Sequence, residues 1–295
     1  MTELTPAPAS PPAQETSGAR PATRRRRVSP SLALSLLLLG AVLITAALSL
    51  VWTPYGLTEA AGPRLSGPSG DTWAGTDRLG RDLATQLMLG ARSALIVAVA
   101  TMALAGALGV TLGIAAATAQ RWLDVTVQTV VDLLIAFPTL LLAMLVVTVR
   151  GASLSSAIIA IGIAGSAIIA RVSRINAARV LREDFITAAR AAGVSLMGVI
   201  IRHVLPNIAP LLAVQLMLLG GGAVLAEAAL SYLGLGTPPP TASWGRMLRE
   251  AQSTMAVQPS SAIFPGAAIA VMVLGLNLLA DGLRERFDPS LAGNR

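Results

Sequence analysis

Six long apolar runs, separated by polar segments, organise this chain. They predict membrane-crossing helices over residues 31–52, 93–117, 127–149, 154–170, 208–230 and 263–283, since about 20 apolar residues span a bilayer as a helix. The runs are continuous rather than alternating, which excludes a transmembrane β-barrel. Residues 1–30, rich in Pro, Ala, Thr and Ser, cannot build a core and predict a disordered tail. The block Arg24–Arg27 ahead of the first run has the charge pattern of a signal peptide. That run is too long for a signal-peptide core, however, and no Ala-x-Ala site closes it, so an uncleaved first span is expected. Residues 53–90 form a Gly- and Pro-rich outer loop, 91–286 hold the main transmembrane unit, and 287–295 form a short tail. In the second outer segment, 231–261, Pro238, Pro239 and Pro240 exclude helix. Farther along it Trp244, Met247, Leu248 and Ala251 share one face over 243–252, which reads as a helix lying in the membrane interface rather than as a substrate lid.

Composition fits this pattern. Mean hydropathy is +0.69 and only 13% of residues are charged, against about 25% in a soluble domain. The net charge of +7 comes entirely from arginine, for the chain has no lysine. In a soluble protein that balance points to nucleic acid; beside membrane spans it marks topology instead, and no nucleic-acid partner is expected. With six spans and both termini in the cytoplasm, 15 of the 22 arginines fall inside and 7 outside. The inverted arrangement puts the densest basic segment outside and is rejected.

The missing lysine also excludes a P-loop, whose Lys must reach the β- and γ-phosphates. There is no cysteine and one histidine, His203; disulfides, thiolate chemistry and His-pair zinc sites are thereby excluded, and no metal site is expected. Gly109 and Gly113 form a G-x-x-x-G pair, read as close packing between helices of the chain itself. Gly220–Gly222 reads the same way, or as a loosening of a span that must move.

Residues 184–206 are a polar, arginine-bearing island in an otherwise apolar chain. Asp184 suits the N-cap of a helix over 185–192, Gly193 its left-handed end, and Ser195 the cap of a second helix over 196–205. Pro206 suits the first turn of the following span. Leu196, Val199, Ile200, His203 and Val204 fall on one face of the second helix, and His203 reads as a packing or hydrogen-bonding residue. The small side chains of Ala188, Ala189, Ala191 and Ala192, with Gly193, leave a flat surface that fits a partner's groove better than bare solvent.

This stretch resembles the cytoplasmic "EAA" loop of importer-type ABC permeases. Thr187, Ala188, Ala189, Gly193, Ile201, Leu205 and Pro206 match its spacing, with Thr187 standing where the motif has Glu. Other segments resemble the second permease subunit of dipeptide, oligopeptide and nickel importers. They are Gly75, Thr76, Asp77, Gly80, Arg81 and Asp82 within GTDRLGRD, the run AEAALSYLGLG at 226–236 with the PPPTASWG after it, and NLLADGLRERFDP at 277–289. The resemblance covers about residues 72–290. It implies an all-α type I importer permease in a prokaryotic cytoplasmic membrane. The pore pairs it with a homologous second permease subunit, two ABC ATPase subunits dock inside, and an extracytoplasmic binding protein delivers substrate. The chain is then non-catalytic and carries no cofactor, ATP-Mg being bound by the ATPases. Asp184, Thr187, Arg190, Gly193, His203 and their neighbours in the hairpin carry the coupling. Peptides are the expected cargo, with nickel or a metal chelate as the alternative.

Some residues keep two readings. The turn at 75–82 is either a local ion-paired turn or a contact for the binding protein or partner permease. Glu227 either serves the pathway or gate, as an intramembrane acid does by default, or reaches the outer interface. Asp132 lies in the first turns of its span, and Phe137–Pro138 interrupts that span, as a kink that faces substrate or not. A secondary transporter or channel is the competing class, but the inverted repeats and midplane charges it calls for are not found. An intramembrane enzyme is disfavoured too, since neither G-x-S-x-G nor H-E-x-x-H occurs. The lack of cysteine makes the topology directly testable. Single cysteines at Ser195 and Ser243 are expected to react with an impermeant thiol reagent from opposite sides of the membrane; labelling of both from one side overturns the six-span arrangement.

Overall fold

The computed structural model describes residues 30–287. The tails expected over 1–30 and 287–295 lie outside them, apart from Pro30 and Phe287. Every regular element among the described residues is helical, save an isolated antiparallel bridge between Thr76 and Asp82. Five helices are long and apolar enough to cross a bilayer, and counting one sharply bent pair as a span makes six.

Helix length is the first departure from the hydropathy pattern. α1 (Pro30–Leu48) is close to expectation, but α2 (Leu83–Thr118) has 36 residues. At 1.5 Å per residue it is about 54 Å long, well over the ~30 Å of hydrocarbon. Its first ten residues therefore belong to the polar cap that the arginine count assigns to the outside, the outer cap, and the loop expected over 53–90 ends at Asp82. Asp82 sets that start: its carboxylate accepts from the Thr85 N–H at 2.7 Å and the Thr85 hydroxyl at 2.8 Å. Hydropathy sees only the part of a helix that sits in lipid. α5 (Leu154–Val180) likewise runs ten residues past its expected end, through Arg171 and Arg174; arginine ends a span without ending a helix.

The third span is broken outright. α3 (Arg121–Ala136) and α4 (Thr139–Arg150) meet at Phe137–Pro138 with a bend of 92°. Pro138 has no N–H to continue the ladder and pushes Phe137 into extended backbone, φ −77° and ψ 131°. α4 has only 12 residues, about 18 Å, too short to cross alone.

The polar island forms α6 (Asp184–Ala191) and α7 (Leu196–Val199), which passes through a π turn (Ile200–Val204) into α8 (Leu205–Tyr232). The break expected at Pro206 is absent. In the π turn the Leu205 N–H bonds the Ile200 carbonyl five residues back, and the widened turn accommodates a proline that cannot donate to Arg202. The second hairpin helix and the fifth span are thus one continuous helix of 37 residues. α9 (Trp244–Ala251) and α10 (Ser260–Phe287) complete the chain.

α5 is the hub, packed on α2, α3, α4 and α8. Lipid tails are as apolar as leucine, so close backbone approach rather than water exclusion must hold the spans together. The seam between α2 and α5 shows it. A Cβ on Gly109 would lie 2.6 Å from the Ile169 Cβ, and one on Gly113 would lie 2.5 Å from the Ala170 carbonyl oxygen. The G-x-x-x-G pair thus packs within the chain. Gly113→Ala is expected to destabilise the bundle by about 1–3 kcal/mol through overpacking, read as a lower melting temperature in detergent. Gly222→Ala, which meets nothing within 4 Å, is the neutral control.

Candidate functional site

Two polar structures stand at opposite ends of the bundle. At one end the hairpin is built much as its sequence suggests, with one shift. Glu183, not Asp184, holds the N-cap position of α6, and its side chain makes no capping bond. Asp184 is the first helical residue, where its charge opposes the positive end of the helix dipole. Gly193 has φ +83°. The Val194 N–H bonds the Ala189 carbonyl and the Gly193 N–H the Arg190 carbonyl, at 3.1 and 3.0 Å, which is a Schellman end. The Ser195 hydroxyl then accepts from the Gly198 N–H at 3.2 Å to start α7.

One face of the hairpin holds it to the spans. Ile186, Val199 and Val204 are all but fully buried and pack with Ile114, Ile169, Ile208 and Leu212 from α2, α5 and α8. Leu205 packs against the same cluster. Half-buried His203 lies against Phe185, ring centroids 6.0 Å apart, so it packs the two arms together. The other face is open. Asp184, Thr187, Ala188, Arg190, Gly193, Ile201 and Pro206 are exposed and Ala189 half-exposed. Phe185, Leu196 and Met197 add exposed apolar surface beside them. Leu196, grouped in the sequence with the inward face, turns outward.

At the other end an outer cap is assembled from the 53–82 loop, α9 and the start of α10. Asp77 is its centre. Its carboxylate accepts from the backbone N–H of Leu79 (2.7 Å) and Arg81 (3.0 Å), from the Arg81 Nε (2.7 Å) and from the Gln86 Nε2 (3.0 Å). A buried carboxylate requires such partners. Arg81 also reaches Glu250 at 3.5 Å, and Glu250 lies 3.4 Å from the Arg246 Nε. Burial pushes the Arg246 guanidinium below its usual range, and Glu250 opposes that shift. Gly75, Thr76, Asp77, Gly80 and Asp82 all turn inward, with Arg81 half-buried. The side chains this turn leaves outside are Arg78 and Leu79.

Glu227 does not reach the outer interface. It is buried on α8, accepting from the Ser231 hydroxyl at 2.6 Å and the Ser243 hydroxyl at 3.0 Å. Ser243 holds the N-cap position of α9 yet makes no cap bond; its hydroxyl ties α9 to α8 instead, and because it is buried, exposed Ser253 replaces it as the outer cysteine position of the topology test. Nor does α9 offer its apolar face to lipid. Trp244, Arg246, Met247 and Ala251 are buried, Gly245 sits against the Ala228 backbone, and the Trp244 indole N–H donates to the Leu87 carbonyl at 3.0 Å. Gly90 and Gly245 were the available signals for this wedge, since each leaves room for a neighbour that a side chain would exclude.

Midway along the chain, Asp132 on α3 forms an ion pair with Arg171 on α5. Two turns earlier Asp124 pairs with Arg174, its Oδ2 accepting from Nη2 at 2.7 Å. The sequence reading missed both pairs, taking the arginines as topology markers. Phe137 and Pro138, at the bend beyond them, are exposed.

Residues 109–293 match the family described as binding-protein-dependent transport system inner membrane component. The chain belongs to this family. It is therefore an ABC importer permease, a multi-pass protein of the inner membrane. Among its relatives, the dipeptide transport system permease protein DppC of Alkalihalophilus pseudofirmus is 36% identical over 98% of this chain and 96% of its own. The glutathione transport system permease protein GsiD of Escherichia coli is 38% identical over 77% of this chain and 75% of its own. Among solved structures, the MetNI methionine ABC transporter in inward-facing conformations superposes with a TM-score of 0.52. That match covers 68% of this chain and 95% of that one at 14% identity, and it shows the type I importer permease fold. Such a permease works with ATPase and binding-protein partners, and the channel and secondary-transporter readings are set aside.

Ile186→Ala is expected to cost about 2–5 kcal/mol of local stability. Limited proteolysis within residues 184–195 should then speed up while the spans stay protected; unchanged cleavage would show that Ile186 is not the anchor.

Proposed function

We propose that this chain is the non-catalytic, pore-forming permease subunit of an ATP-driven peptide importer, and that the open face of residues 184–206 receives the ATPase. One observation carries the reading. A hairpin of small and apolar exposed side chains is fastened to three spans through Ile186, Val199 and Val204. A partner gripping the open face therefore moves α2, α5 and α8 rather than a free loop. The arginine distribution supports a hairpin and both termini in the cytoplasm, where two ATPase subunits hold ATP-Mg and the permease needs no cofactor of its own. Peptide cargo is supported by relatives named for dipeptides and for glutathione, itself a peptide. A homologous second permease completes the pore. Outside, the exposed Arg78 and Leu79 of the cap face the binding protein, with the buried Asp77 network fixing their position.

Thr187 is exposed on the docking face, so the motif position that lacks Glu contributes a hydroxyl rather than a charge to the contact. ATPase docking then rests on apolar contact and on Arg190.

The test uses the assembled importer in proteoliposomes. Gly193 has open space around it but a left-handed backbone, which costs a β-branched residue about 1–3 kcal/mol. Gly193→Val is expected to lower uptake about tenfold while ATP hydrolysis persists, and Gly193→Asn, which tolerates that backbone, to retain most uptake. Intact coupling in Gly193→Val, or a permease that purifies without ATPase subunits and transports without ATP, would refute the reading.

A further inference from the structure

The broken third span poses a mechanical question. α3 has 16 residues, yet only Val131 is fully buried; with half-buried Val127, Leu134 and Ile135 it packs on Ala167 and Ala170 of α5. This one narrow apolar seam leaves most of the helix surface uncovered. Between α3 and its neighbours α2 and α5 lies a cavity of about 130 Å³, lined by small side chains such as Gly113, Ala116 and Ala170 and rimmed by Asp132, Arg171 and Arg174. α3 stands off from the bundle over that space and ends at the 92° bend before α4.

Both acids of α3 pair with arginines of α5: Asp124 with Arg174, and Asp132 with Arg171. The Asp124–Arg174 pair is two-pronged, Nε to Oδ1 at 2.5 Å and Nη2 to Oδ2 at 2.7 Å, a geometry that sets orientation as well as distance. The two arginines lie three residues apart, on one side of α5. From Arg174 the helix continues without interruption to Val180, and only residues 181–183 separate it from α6. Any shift of the hairpin that carries α5 along therefore carries both arginines.

We propose that these two ion pairs form a clasp that makes α3 follow α5, passing hairpin movement to the bend at Phe137–Pro138. Arg171 and Arg174 are then positioning residues for transport, acting on the path through α3. The inference rests on the hairpin being the site where the ATPase docks. The clasp supplies what the narrow apolar seam lacks. The half-buried, two-pronged Asp124–Arg174 pair fixes α3 on α5, and the more exposed Asp132–Arg171 pair adds to it.

The experiment uses the complete importer, reconstituted with its ATPases and binding protein. Spin labels are placed on cysteines at Thr126 of α3 and Ile168 of α5, both exposed in a chain with no native cysteine. In the wild type the label separation is expected to stay the same, within about 2 Å, between nucleotide-free and ATP-trapped states. In Asp124→Asn/Asp132→Asn it is expected to broaden and to change with nucleotide. Uptake per ATP hydrolysed should fall about tenfold in Arg174→Gln. The charge-swapped Asp124→Arg/Arg174→Asp should recover at least half of it, which a merely structural loss would not allow. Unchanged uptake per ATP and an unchanged separation in the neutralised variant would overturn the clasp. So would a charge swap that assembles but restores nothing. If a single variant fails to assemble, the swap decides, since recovery supports the pair and continued failure refutes it. Failure of the docking reading looks different, because the wild-type permease would then neither retain its ATPases nor couple to them.

Discussion

Close backbone contact between α2 and α5 is the constraint on which the rest of the molecule depends. In lipid there is no water to drive leucine against leucine, so the spans cohere only where small residues let them touch. Gly109 and Gly113 meet the backbone of α5 at distances no side chain permits. With that seam set, α5 becomes a fixed centre from which α3, α4 and α8 take their positions. The same device recurs where α1 lies on α10, with Gly275 and Gly282 receiving Leu39 and Leu32.

The polar parts solve a different problem. Neither the hairpin nor the outer cap can rely on lipid, so each is fixed by buried side chains with several partners, Ile186 and Asp77 foremost among them. Ile186 does this for the hairpin through apolar contact. Asp77 does it for the cap, its carboxylate satisfied by backbone and side-chain donors at once. The two strategies fit their settings. The hairpin sits on the apolar ends of three helices. The cap must organise a long loop in water, where directional hydrogen bonds define a geometry that hydrophobic contact would leave loose.

Much of the fold was legible because hydropathy tracks lipid, and lipid contact sets the number and order of spans. What hydropathy could not show is helix beyond the membrane: the first ten residues of α2 and the last ten of α5 are as helical as the rest but polar enough to pass for loop. The hairpin's turn chemistry was legible at Gly193 and Ser195, since few residues suit a left-handed end or an N-cap. Asp184 was assigned one position early because Glu183 beside it is no better a cap by type, and the backbone decided. Pro206 misled, because its effect on the helix depends on the π turn before it. The ion pairs of Asp124 and Asp132 were invisible for a physical reason: their partners lie about 40–50 residues away, and pairing across helices follows from the bend at Pro138, whose angle no local pattern encodes.

The length of α2 has a consequence of its own. Its outer end is where Asp82, Gln86, Leu87, Gly90 and Ser93 meet the cap, and its inner half forms the seam with α5, which leads to the hairpin. Cap and hairpin are therefore two surfaces of one strut, with no flexible loop between them. Thermodynamic linkage then applies in both directions. If a partner on the outer face favours one arrangement of this strut by some factor, a partner on the inner face that prefers that arrangement gains affinity by the same factor. Any signal passed along this strut would then be a reciprocity between two binding equilibria.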